Sequence, residues 1–336
     1  MFGKFMNSYF YGKSGKGDYT KEDLPSTRMQ LFWETLRTRF SGLVRLNLIY
    51  MLVWLPAIAV IAYHVMTIYA VMSGLVDLQS QVQAGTLAAA DYATQQALFS
   101  DAIKAMTLRG LLFLIPSLAI TGPFTAGLCL VTRNWARDEH AFVWSDFKDA
   151  VKDNWKQALA TSAITGFVPM VVYVCWMFYG EFAANNSLFL IPQVLTLMLG
   201  LLWLMSLLYT YPLMVTYRLR YRDVLRNSLL LTVGRLPGTL GLKLLSILPM
   251  VIVALVSIFT PYLQWAVLIC ILYYIALGFA LSRFTGASYT NAVFDKYINV
   301  KIEGAQVNRG LYVEDEDDSA EDDADEPDEP DHFPKP

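Results

Sequence analysis

The sequence predicts an all-α fold: a polytopic transmembrane helical bundle of six spans, with interfacial amphipathic helices on its cytoplasmic side. Composition is the first ground. Of 336 residues, 55% are hydrophobic and 16% charged, where a soluble domain has about a quarter charged. Spacing is the second. Uncharged runs of 31, 23, 24, 36 and 39 residues separate Arg45 from Asp77, Arg109 from Arg133, Lys156 from Glu181, Glu181 from Arg218, and Lys243 from Arg283. A helix needs about 20 residues to cross the hydrocarbon core. The last run therefore holds two crossings, parted at Phe259-Thr260-Pro261-Tyr262. Charge placement is the third ground. Among the loops after spans one, three and five, only the first carries bases, Lys104 and, at the edge of span two, Arg109; the other 24 bases fall on the opposite side. By the positive-inside rule both termini are cytoplasmic.

Residues 1–25 form a basic cytoplasmic segment. Gly12-Lys13-Ser14 has the end of a phosphate loop, but the required earlier glycine is replaced by Asn7, so no nucleotide site is expected. The membrane domain covers 26–310. It opens with an amphipathic helix at 26–45, capped by Ser26 or Thr27, in which Met29, Phe32, Trp33, Leu36 and Phe40 share one side. The spans lie near 46–70, 110–132, 157–179, 189–214, 242–260 and 263–283. An outer loop at 73–107 carries a helical segment capped onto the outer surface. Further inner-face amphipathic segments at 140–157 and 221–238 suggest three repeated hairpins. Pro56, Pro169 and Pro249 mark the odd spans, and Pro123 and Pro212 the even ones. Residues 311–336 form an acidic tail: 314–331 hold 13 of the 29 acids. With too little apolar surface to offset ordering entropy, the tail is expected to be disordered and cytoplasmic.

The chemistry-bearing residues are few. Cys129, Cys175 and Cys270 are scattered through apolar runs, which argues against disulfides, and three dispersed histidines make no metal site. No catalytic arrangement is present, so neither an enzyme nor a cofactor is expected. Cysteine and tyrosine aside, His64 alone of the ionisable residues lies well within a charge gap, near the outer interface. Arg45, Arg109, Lys156, Lys243 and Arg283 fall at span ends, where snorkelling accounts for them. A proline in a span frees a backbone carbonyl. Thr121-Gly122-Pro123 and Tyr211-Pro212 are therefore, with His64, the candidate substrate-binding or gating residues.

After the first of these breaks comes a polar, aromatic run. Thr121, Gly122, Pro123, Ala126, Gly127, Arg133, Arg137, Glu139, His140, Phe142, Trp144, Asp146 and Phe147 together resemble the YesL-like family, a domain of unknown function. The resemblance extends to 46–57, 154–159 and 211–217 and covers roughly 26–300. It implies a cell-membrane protein of the kind found in Gram-positive bacteria, often encoded near carbohydrate uptake and degradation genes.

Two roles follow as expectations. One is an accessory or scaffold protein that meets the subunits of a carbohydrate transporter through inner-face residues, among them Arg133, Arg137, Glu139, His140, Trp144, Asp146 and Phe147. The other is a sugar permease with its pocket at the proline breaks of spans two and four. A polar cavity within the bundle favours the second and a solid bundle the first. The lipid bilayer is a partner in both, and nucleic acid in neither.

Overall fold

A computed structural model describes residues 25–86 and 88–312, and they are helical with no strand among them. In order the elements are α1 (Arg28–Thr38), α2 (Phe40–Gln83), α3 (Ala89–Trp135), α4 (Val143–Ala183), α5 (Leu190–Thr216), α6 (Tyr221–Gly234), α7 (Leu236–Phe259), α8 (Leu263–Tyr273) and α9 (Phe279–Tyr297). A π-helical turn, Tyr274–Gly278, joins α8 to α9. Six helical stretches are long and apolar enough to cross a membrane: α2, α3, α4, α5, α7 and the run from α8 through α9.

Element ends follow local chemistry. Thr27 caps α1 in a reciprocal box: its side chain takes the Gln30 N–H while the Gln30 side chain takes the Thr27 N–H. Thr260 and Pro261 part α7 from α8, at the break expected from sequence.

Two boundaries are corrected. The outer loop expected at 73–107, with one helical segment in it, is instead an extension of both spans: α2 runs to Gln83 and α3 begins at Ala89. Nothing before Gly85, which has φ +71°, stops the first helix. The extensions pack closely, since a Cβ at Gly74 would lie 3.2 Å from the Phe99 ring. At 44 and 47 residues, α2 and α3 are roughly 65–70 Å long, about twice the hydrocarbon thickness. The surface helix expected at 140–157 is also not separate. It is the first part of α4, which continues unbroken into its span. Of the three inner-face segments, only α1 and α6 stand as helices of their own.

The core lies towards the end of the bundle that carries the arginines. One cluster joins Leu43, Leu46 and Tyr50 of α2 to Leu128 and Trp135 of α3, Phe147 of α4 and Phe284 of α9. A second joins Cys129, Ala158, Tyr209, Leu213, Val224 and Phe294, drawn from α3, α4, α5, α6 and α9. α7, by contrast, buries only Thr239. Most of its remaining surface is apolar and open, as suits a helix in lipid, apart from the half-buried Lys243 and Ser246. The basic segment up to residue 24 and the acidic tail from 313 lie outside the described residues. Tyr312, assigned to the tail from sequence, is placed, and its N–H donates to Pro25 O at 3.1 Å. The two ends of the described chain thus meet at the basic end.

Candidate functional site

The two proline-bearing stretches meet different fates. Pro123 lies inside an uninterrupted α3, so the expected break is a packing junction instead. Lacking an N–H, Pro123 leaves the carbonyl four residues earlier, Ala119 O, without its helical donor. Ser162 of α4 takes that place, its Oγ 2.6 Å from Ala119 O. Gly122 makes the approach possible, because a Cβ there would collide with Ser162 Oγ and Ala158 O. Thr121 is buried, and its hydroxyl donates to Leu118 O at 2.8 Å. These three residues fasten α3 to α4 and line no cavity described here. His64 is likewise a packing residue: it sits against Gly110, with Nδ1 2.8 Å from Val60 O.

Pro212 also lies inside an unbroken helix, but it does line a cavity, of about 240 Å³, between α2, α3, α5, α7 and the π turn. The carbonyl it frees is that of Leu208, another lining residue. Tyr50, Trp54, Tyr274, Ser246 and Ser282 contribute polar or aromatic groups, and the two serine Oγ atoms are 3.1 Å apart. Lys243 of α7 and Arg283 of α9 face the same space. They are not simply span-end residues reaching for water, as their sequence positions suggested. Tyr211 is buried and does not line the cavity; it touches it only through Arg283, whose guanidinium lies 5.5 Å from its ring centroid.

The π turn shapes this cavity. Its irregular hydrogen bonding is met by Asn47 of α2, whose Nδ2 donates to Tyr274 O at 2.9 Å and Ile275 O at 2.7 Å. The Asn47 Oδ1 accepts from Ala280 N at 3.0 Å. All of this amide's contacts are to backbone, and the residue is fully buried.

At the basic end the polar run closes into a network. Arg133 reaches Glu139 at 3.2 Å, and Arg137 reaches it at 3.0 Å. Arg137 also lies 3.6 Å from Asp295, at the end of α9. The buried Asp295 carboxylate pairs with Arg28 at the start of α1 and accepts from Asn308 N at 3.1 Å and from Asn299 Nδ2. Tyr217, after α5, donates to Asn299 Oδ1 at 2.6 Å. Burial and the Asp295 charge push its hydroxyl up to about 12. Arg137 binds Gln306 O at 3.1 Å, and Gly310, at φ +81°, packs where a Cβ would meet Asp138. The segment after α9 therefore folds over the turn that follows α3.

The remaining residues of the run divide. Phe147 is buried against Gly127, and Asp146 accepts from Phe142 N at 3.0 Å to close the first turn of α4. His140 is exposed and meets the Phe142 ring edge-on; Trp144 is 63% exposed. Sequence reasoning missed Asp295 and Asn47. The available signals were that Asp295 is the one acid between Arg283 and Glu303, and Asn47 an amide inside an apolar run.

The fold and its apolar surface define a multi-pass helical membrane protein. A family described as protein of unknown function, DUF624, matches residues 105–176, the α3–α4 stretch that contains the Gly122 junction and the polar run. YesV of Bacillus subtilis (strain 168), an uncharacterized protein, is 31% identical over 125 residues, or 37% of this chain and 58% of the relative's length. The chain is thus similar to the DUF624 proteins over its α3–α4 stretch, in line with its resemblance to the YesL-like family. No solved structure matches.

Proposed function

We propose that this chain is a non-enzymatic accessory protein of the cell membrane that docks on the membrane complex of a carbohydrate transporter. In this reading both termini are cytoplasmic, because the positive-inside rule places the basic end there. The observation that carries it is the clamp around Asp295. Arg28 and Arg137 join the start of α1 and the turn after α3 to the end of α9. Beside that fastened end, Trp33 and Trp144 are 61% and 63% exposed. A rigid end that presents aromatic anchors suits docking, since such side chains contribute large contact area at little entropic cost. The link to carbohydrate uptake comes from the family resemblance. The bilayer and transporter subunits are the partners invoked; no cofactor, metal or nucleic acid is. Affinity purification from mild detergent, read by quantitative mass spectrometry, tests it. Transporter subunits should be enriched with the intact protein and reduced several-fold with W33A/W144A; an absence of such subunits removes the proposal.

A second reading, a small-solute permease, is favoured by the cavity beside Pro212. It requires uptake of a sugar by cells to fall when Pro212→Ala is introduced. Unchanged uptake of every sugar tested would leave the docking role alone.

A further inference from the structure

We propose that the cavity around Lys243 and Arg283 is an anion site that takes a phosphate group. Two cations from different helices line one space of about 240 Å³, and no Asp or Glu lines it. Among the described residues, no carboxylate forms an ion pair with either. The contrast with the basic end is sharp, because there Arg28, Arg133 and Arg137 all have carboxylate partners. The contacts Arg283 does make, to the Tyr211 face and a hydrogen bond to the Cys129 thiol, orient the guanidinium without placing a carboxylate against it.

Physical chemistry favours an occupant. Two like charges facing one low-dielectric space repel, and a buried charge without a partner is costly. A bound anion removes both penalties. The donor set is that of a phosphate site: a guanidinium fork, an ammonium, and the hydroxyls of Ser246 and Ser282. Ser282 Oγ donates to Ser246 Oγ at 3.1 Å and Ser246 Oγ to Leu242 O at 2.9 Å, so the two hydroxyls form a pair on the cavity wall that turns to a bound anion by giving up these bonds. Their positions agree with a group near the membrane interface. Lys243 is seven residues into α7, and Arg283 is 12 residues before Asp295, which is roughly 10 Å and 18 Å of helix from the basic end. The cavity wall is itself adapted. A π turn lines it, Asn47 donates to the carbonyls of Tyr274 and Ile275, and Gly278 admits the Tyr274 ring where a Cβ would clash. π turns recur at functional sites.

The phosphate could belong to a lipid headgroup or to a soluble molecule, and one experiment separates them. The full chain is purified into nanodiscs of zwitterionic lipid. Binding is followed by thermal shift and by native mass spectrometry, on adding inorganic phosphate at constant ionic strength or, separately, phosphatidylglycerol. Saturable stabilisation is expected with at least one probe. K243Q and R283Q should each weaken it at least tenfold, while K156Q, at another span end, should not. A response to phosphatidylglycerol alone identifies the headgroup, and a response to inorganic phosphate identifies a soluble ligand. Each supports the site. Far-ultraviolet circular dichroism and elution volume verify that the variants fold; should R283Q fail, R283K and K243Q carry the test. No saturable response to either probe, or equal affinity in folded K243Q and the parent, overturns the proposal.

Discussion

Asp295 accepts from Arg28, 267 residues earlier in the sequence, and the same carboxylate stands 3.6 Å from Arg137. One buried acid therefore ties the first helix, the turn after α3 and the last helix together. Replacing Asp295 with Asn leaves two arginines facing a neutral group. Breaking a buried pair by removing one partner costs about 3–5 kcal/mol. The thermal midpoint of D295N in detergent should fall well below that of D101N, which breaks the exposed Lys104–Asp101 pair.

Gly122 and Ser162 give a second prediction. Gly122→Ala drives a methyl into Ser162 Oγ and the Ala158 carbonyl, so α3 and α4 must separate. Ser162→Ala only strips the donor from Ala119 O, at about 1–3 kcal/mol. G122A should destabilise more than S162A, and the double variant should not recover, because the Ala158 backbone still blocks the methyl. Unfolding curves of the three variants check the order.

Asn47→Leu removes two contacts to carbonyls of the π turn, Tyr274 O and Ile275 O, and a third from Ala280 N–H in the first turn of α9. Each orphaned group costs about 1–3 kcal/mol. The loss should be largest for this substitution among polar residues of α2. Amide exchange at 274–280 should also speed up ahead of exchange elsewhere in α9.

Tyr217 makes stability depend on alkaline pH. Its hydroxyl is raised to about 12 by burial and by Asp295. The folded state then holds the proton more tightly than the unfolded state, whose tyrosine titrates near 10. Its contribution is whole below pH 10 and is lost as pH rises from about 10 to about 12. In Tyr217→Phe, the thermal midpoint should fall less steeply across that window than in the parent.

These tests bear on interactions that the sequence showed unequally. Length, charge gaps and the break at Thr260-Pro261 located the six apolar helices, because membrane insertion acts through composition. The helical segment within the outer loop was legible from its Ala- and Gln-rich composition, but not that it continues α2 and α3 without a break, since its polar residues read by hydropathy as the end of each span. Thr121, Gly122 and Pro123 drew notice as a helix break, but their purpose is visible only with Ser162 opposite. Lys243 and Arg283 looked like span ends because a charge-free run stops at each. That both face one cavity depends on how α7 packs near α9, which no local pattern records. Asp295 pairs with residues far away in sequence and leaves no local signature.

Docking on a transporter is tested most directly by in-cell crosslinking from position 144. A photoreactive amino acid replaces the exposed Trp144, and crosslinked products are identified by mass spectrometry against the same probe at exposed Leu98 on the far hairpin. Carbohydrate transporter subunits trapped from position 144 and absent from position 98 are the expected result. Trapping of lipid alone, or of the same proteins from both positions, would contradict it.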